Sequence, residues 1–297
     1  MEVKESDQRA DNGSLYIAGR YNKFSRNLCQ TPWILDGVRR METSVQELIV
    51  DQVEKRIKFE KARFSSSGRE DVDVRMLGDG RPFVIELIKP QVITISDQLL
   101  DEIEKSINSN CSDVQVRYLQ LMDKNEVKVQ LRAGETDKMK VYRALCCIDR
   151  PFTDQDIDKL KAIKDLIINQ KTPIRVLHRR SLLDRTRTIH HILGEKTQDE
   201  HKFIIELKTE AGTYIKEFVH GDFGRTSPNL AQILENCRTD ILELDVTEIT
   251  INWPGPKSDR AEIPITSQEK CEPKATESET LGDHEVCSKK IKLNQDD

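Results

Sequence analysis

Gly68-Arg69-Glu70-Asp71-Val72-Asp73-Val74-Arg75-Met76-Leu77-Gly78-Asp79-Gly80-Arg81-Pro82-Phe83 holds four acids and three arginines in sixteen residues. Serines at 65, 66 and 67 precede it, and an apolar run to Ile88 follows. The serines mark a loop, and the alternation from Val72 to Met76 marks the entry into a strand. Asp79-Gly80 predicts a tight hairpin turn into a second strand, Pro82 to Ile88, because such a turn needs positive φ. A carboxylate at a loop-to-strand junction is held by the sheet while staying open to solvent. Asp71 occupies that position, and Arg69, Arg75 and Arg81 are near enough in sequence to favour its ionised form. Taken alone, the segment also reads as a charged hairpin with ion pairs at its strand ends. Asp73, two residues on, faces the same side of the strand and is a rival carboxylate.

Working outward, helical spacing of Val45, Leu48, Ile49, Val53, Ile57 and Phe64 predicts a helix from Ser44 to about Phe64, capped by Thr43 or Ser44. Residues 97–107 read as a second helix with Leu99, Leu100, Ile103 and Ile107 on one face. Strands are predicted at 114–121, 127–131, 140–148, 175–178, 186–193, 201–209 and 243–252. Asp154 starts a helix through Ile168, another begins near Thr213, and a third spans 228–235. Many strands interrupted by single helices make an α+β pattern with one large mixed sheet.

The chain has 297 residues, 36% hydrophobic and 33% charged, with no run of the ~20 apolar residues that a membrane-spanning helix needs. No apolar signal-peptide segment opens it, so a nuclear and cytoplasmic protein is expected. Seven cysteines without a CxxC pair suit inert thiols in a reducing compartment, and no metal site is visible. The net charge of -5 is unevenly spread. Residues 1–13 carry four acids and two bases, and residues 257–297 carry ten acids and seven bases, leaving 38 of each between. A nucleic-acid surface must then come from local clustering. Residues 1–13 and 255–297 are too poor in large apolar groups to offset ordering entropy and are expected to be disordered around a domain at 14–254.

The densest one-sided cluster in that domain is Lys171 to His191, with Arg175, His178, Arg179, Arg180, Arg185 and Arg187 against Asp184 alone. Such clusters neutralise backbone phosphates, although a solvated loop has the same composition. In Lys138-Met139-Lys140-Val141-Tyr142-Arg143-Ala144, Tyr142 reads as a core strand aromatic or as a stacking platform for an extruded base. In Gly212-Thr213-Tyr214-Ile215-Lys216, a cation in a helix's first turn opposes the helix dipole, so Lys216 is expected to have a partner elsewhere.

These segments resemble the pseudouridine synthases. Gly68-Arg69-Glu70-Asp71 is similar to their GRxD motif, Lys140-x-Tyr142 to KxY, and Gly212 to Lys216 to GTYIR. Arg20-Tyr21-Asn22-Lys23-Phe24-Ser25-Arg26-Asn27, Gln30-Thr31-Pro32-Trp33, Thr172-Pro173-x-Arg175-Val176-x-His178-Arg179-Arg180 and His220-Gly221-Asp222-x-Gly224-Arg225-Thr226 sharpen this to the archaeal and eukaryotic tRNA synthases of type ten. The resemblance covers about residues 19–253. It implies the pseudouridine synthase fold, a large mixed, mostly antiparallel sheet with flanking helices and a central RNA-binding cleft. It implies isomerisation of uridine to pseudouridine in the TΨC arm of tRNA, at position 55 with 54 as a second target, without a cofactor. Asp71 would be the catalytic carboxylate, Lys216 its ion-pair partner, and Tyr142 the residue stacked on the base. Tyr214, Arg69 and Arg75 would contact substrate. Arg20, Lys23, Arg26 and the Lys171–His191 cluster would grip the RNA. The family carries an N-terminal RNA-binding domain with a CxxC-type zinc site, so this chain is expected to be the catalytic domain without it, a monomer. The alternative is an RNA-binding protein that keeps the fold without catalysis, with primary microRNA and its processing complex as partners.

Overall fold

The computed structural model describes residues 13–92, 95–136, 139–235 and 237–257, all within one unit, Met1–Arg260. The expected disordered ends thus lie almost wholly outside the described residues. The elements run β1 (Ser14–Lys23), β2 (Ile34–Leu35), β3 (Val38–Arg39), α1 (Val45–Arg56), β4 (Lys61–Ser66), β5 (Val74–Ile88), α2 (Asp97–Asn110), β6 (Val114–Met122), α3 (Lys124–Thr136), β7 (Lys140–Ile148), α4 (Asp154–Lys161), β8 (Lys164–Lys171), β9 (Asp184–Lys196), β10 (Lys202–Thr209), α5 (Ile215–His220), β11 (Thr226–Ser227), α6 (Leu230–Ile233) and β12 (Thr239–Ile249).

Ten strands form one sheet in the order β11-β8-β9-β10-β7-β12-β5-β1-β6, with β4 added to β5 off that path. Every pairing is antiparallel except β12 with β5, so the sheet is mixed, as the strand pattern predicts, and mostly antiparallel, as the resemblance implies. That parallel junction lies in the middle of the sheet, where β5 leaves the Asp71 loop. Helix α2 packs on β6, α1 on α2, α4 on β9 and α5 on β12. The core is continuous along the sheet, from Ile17, Phe83 and Ile85 at one side to Phe203, Ile205 and Leu207 at the other.

Local signals explain most boundaries. Ser44 caps α1 by accepting from Glu47 N, as expected, but the helix stops at Arg56 and β4 takes over before Phe64. Thr153 rather than Asp154 caps α4, in a reciprocal capping box with Asp156. That helix ends at Lys161, and the expected remainder is β8, whose Ile168 is buried in the sheet. Residues 127–131, expected as a strand, lie in α3, and the strand expected at 175–178 is replaced by a short 3-10 helix, Ile174–Val176, and a turn.

The predicted hairpin at Asp79-Gly80 does not form, because β5 runs straight through it. β1 spans both expected arms, pairing Ser14 with Ile88 and Lys23 with Met76 around a bulge beyond Tyr21. The positive φ needed there serves close approach instead of reversal. A Cβ on Gly78 would lie 2.0 Å from the carbonyl oxygen of Thr247, and one on Gly80 2.6 Å from that of Tyr21.

Candidate active site

The loop from Ser67 to Asp73 carries the acids out of β4 and into β5. Beneath it lies a buried polar network. Glu70 is buried and accepts from Nε of Arg81 and from the Tyr21 hydroxyl, each at 2.7 Å. Arg81 also donates to the Ser67 carbonyl at 2.7 Å, and Gln30 donates to the Tyr21 hydroxyl and to the carbonyl of Gly68. Burial and the Glu70 carboxylate push the Tyr21 phenol well above its usual value. Burial opposes the Arg81 charge, but Glu70, together with Tyr21 and Tyr142, more than offsets it. The alternation of the motif follows from this: Glu70 turns inward as the anchor, and Asp71 turns outward.

Asp71 projects into a cavity of about 440 Å³, within the range of small-ligand sites. Arg175 donates to its Oδ2 at 2.8 Å, Lys216 Nζ stands 3.8 Å from the same oxygen, and Arg179 stands 3.9 Å from Oδ1. The carboxyl nevertheless remains 31% exposed, enough to meet a substrate. Lys216, in the first turn of α5, donates to both oxygens of Asp73 at 2.7 and 2.8 Å. Burial raises the Asp73 carboxyl, but the Lys216 bond and charge more than offset this and hold it below its usual value. Asp73 does not line the cavity, whereas Asp71, Tyr142, Tyr214 and Lys216 all do. The two carboxylates that one strand face could not separate are thus distinguished by place.

Two elements hold this constellation. Gln170 of β8 clamps the start of α5, donating to the carbonyl of Tyr214 and accepting from its N–H, both at 2.9 Å. The turn His220–Thr226 holds the root of the basic loop: Lys171 N donates to the Arg225 carbonyl at 3.0 Å, and Arg225 Nη2 to the Thr172 carbonyl at 2.7 Å. Asp222 and Phe223 take left-handed φ of 45° and 56° there, which leaves Phe223 exposed.

The basic residues divide into groups. Arg20 and Lys23, expected to grip RNA, are buried, and their groups are taken up by backbone carbonyls. Arg20 donates to those of Asp79, Gly80, Ile251 and Trp253, and Lys23 to those of Leu28, Asp71 and Val72. Burial lowers the Lys23 ammonium to about 8, with Glu70 and Asp73 opposing the drop. Neither has an open face for a phosphate, so their expected role is corrected to holding the Asp71 loop and β5. Arg26 and Arg75 are likewise paired, the first with Glu243 and Asp245, the second with both oxygens of Asp245 at 2.8 and 2.6 Å. Arg175, expected to contact RNA, is exposed on the cavity wall and is the closest cation of the Asp71 carboxylate, held from behind by Glu217 at 2.7 Å. Burial disfavours its charge, but Glu217 and Asp71 raise it above the usual arginine value.

Arg69, Arg179 and Arg180 are exposed and line the cavity, and His178 is exposed next to Arg179. Arg185 donates to Thr172 and Arg187 to Glu210. Tyr142 is buried with one edge on the cavity, and burial pushes its phenol up to about 12. Glu70, Gln170 and Glu217 were not singled out from sequence, and Arg81, read as a cation for Asp71, pairs with Glu70 instead.

A family model described as Pus10, C-terminal, matches residues 16–250. The chain is 52% identical over 242 residues to the tRNA pseudouridine synthase Pus10 of Homo sapiens, covering 82% of this chain and 45% of that protein. It is 49% identical over 248 residues to the Xenopus laevis protein of the same name, covering 84% and 47%. The chain therefore spans about half the length of these curated relatives. Among solved structures, a Cbf5-Nop10-Gar1 complex aligns with a TM-score of 0.39 and 18% identity, covering 76% of this chain and 49% of that one.

Proposed function

Because the chain belongs to the Pus10 family, through its C-terminal region, we propose that it isomerises uridine to pseudouridine in the TΨC arm of tRNA, at position 55 and secondarily 54. The observation that carries this is Asp71, a partly exposed carboxylate set in a cavity wall with Arg175 at 2.8 Å and Lys216 at 3.8 Å. Those cations hold the carboxylate at the cavity wall, where it can reach a nucleoside for attack or proton abstraction. The cavity suits a single extruded nucleotide, and Tyr142 and Tyr214 offer aromatic surface against it. Unstacking the base costs a few kcal/mol, which stacking and phosphate contacts by Arg179, Arg180 and His178 offset. The relatives bear the name tRNA pseudouridine synthase, which supports tRNA as the partner.

The same reading includes primary microRNA and its processing complex as further partners, a monomeric state, and work in nucleus and cytoplasm; these rest on the family resemblance. The test is incubation with an unmodified tRNA transcript followed by chemical mapping. Pseudouridine is expected in the TΨC arm, and Asp71→Ala is expected to remove it while changing RNA affinity by no more than about twofold. A full-length protein that leaves the TΨC arm unmodified would sink the proposal.

A further inference from the structure

Lys140 stands two residues before Tyr142 on β7, so the two side chains share a face of the sheet and both line the cavity with Asp71. Its ammonium lies against the Asp71 loop: a Cβ on Gly68 would sit 3.3 Å from Lys140 Nζ and 2.8 Å from Arg81 Nη1. The nearest acid cannot serve it fully, because Glu70 is already engaged by Arg81 and Tyr21. No hydrogen bond or ion pair to Lys140 Nζ occurs among the described residues. Its neighbours across the sheet, Thr209 on β10 and Ile249 on β12, are uncharged. Arg81 and Glu70 are the charged groups facing it, and Tyr142 is the remaining titratable one. Burial, with Arg81 adding to it and Glu70 opposing, lowers the Lys140 ammonium to about 8.

A partly buried cation without a hydrogen-bonded counter-ion is costly, and a fold that keeps one in a cavity wall gains from it when negative charge arrives with the substrate. We propose that the Lys140 ammonium contacts a carbonyl oxygen of the uracil and stabilises the negative charge that develops there during isomerisation. The inference rests on the synthase reading and deepens it. When the N1–C1′ bond breaks, its electron pair stays on the ring and spreads to the carbonyl oxygens. A ring electron pair at C5 then forms the C5–C1′ bond, the C5 proton leaves, and N1 gains one, so atoms and electrons balance. Where addition at C6 comes first, the charge falls on a carbonyl oxygen as well. A fixed cation in a cavity wall, partly shielded from solvent, acts on such a charge more strongly than one in bulk water.

The test is the single-turnover rate on unmodified tRNA from pH 6 to 10 for wild type, Lys140→Met and Lys140→Arg, with RNA affinity and thermal melting measured alongside. At pH 7 Lys140→Met should lose about a hundredfold in rate with affinity nearly unchanged. The wild-type rate should fall above pH about 8. Lys140→Arg, which stays charged, should keep much of the rate and lose that fall. Full activity in a folded Lys140→Met, or the same high-pH fall in Lys140→Arg, overturns the inference. An NMR titration of the Lys140 amine separates it from the synthase reading. Its pKa should rise when unmodified tRNA binds, whatever the turnover, and an unmoved value overturns the contact. Product absent from wild type with a risen value counts against the synthase reading alone.

Discussion

Arg175 donates to Asp71 across the cavity at 2.8 Å, closer than Lys216, whose hydrogen bonds go to Asp73. This contact ties the loop after β4 to the basic loop after β8, segments 104 residues apart. The cation that orients Asp71 thus also belongs to the stretch expected to meet RNA.

The two carboxylates should separate cleanly. Only Asp71 lines the cavity, so Asp71→Asn should lower the single-turnover rate by at least about a thousandfold. Asp73→Asn removes a Lys216 partner and should cost about tenfold or less. Equal losses would show that position in the cavity does not decide the role.

Arg175→Met should destabilise as well as inactivate. It leaves the buried Glu217 carboxylate without its arginine, a cost of about 1–3 kcal/mol. Urea unfolding should show that the double variant Arg175→Met, Glu217→Leu recovers part of the loss, because neither partner is then stranded. A double variant as unstable as the sum of the singles would contradict the pairing.

Two glycines with similar backbone should respond differently to alanine. Gly37 and Gly78 both have positive φ, 74° and 56°. A Cβ on Gly37 meets nothing within 4 Å, so Gly37→Ala should cost only the left-handed strain, about 1 kcal/mol. Gly78→Ala drives its Cβ into the Thr247 carbonyl and should cost more than about 2 kcal/mol. Melting curves of the two variants decide the matter.

Asp156 should make stability depend on acid. Arg150 donates to both its oxygens at 2.7 and 2.8 Å, and Thr153 adds further bonds. The arginine bond holds its carboxyl well below the usual range, against the opposing effect of burial. The unfolded chain takes up this proton near pH ~3.9 while the folded chain stays ionised, so stability falls as pH falls. The urea midpoint of Asp156→Asn should lie furthest below wild type at pH 7, and the gap should begin to narrow as pH falls below about 4 and close only well below the usual carboxylate range. A constant gap would rule out this linkage.

Periodicity found most of what local chemistry controls. Helix α2, with apolar residues on one face, and strands β6, β7 and β10 lie close to their predicted places, because their side-chain pattern matches the backbone repeat. It failed where partners elsewhere decide. The apolar residues of β8 fit a helix continuing α4 until the sheet claims them, and Val127 fits a strand until α3 packs on β1. Of the site, Asp71, Tyr142, Tyr214 and Lys216 were legible, and the structure brings all four to one cavity. Glu217 and Gln170 were not, since a buried acid or amide looks in sequence like any surface one.

By itself the sequence determined the mixed sheet, the loop that carries Asp71, and the motif residues around it. Alternation and motif order are written along the chain. Only the tertiary structure decided which charges are spent and which are free. Arg20, Lys23 and Arg75 read like RNA-binding groups, yet each is taken up by carbonyls or carboxylates brought from distant parts of the chain. Asp71 and Asp73 are equivalent on a strand face, yet the approach of Arg175 and Lys216 gives them different partners. Charge pairing acts over a few ångströms in space with no regard for sequence distance, so it is settled only when the chain has folded.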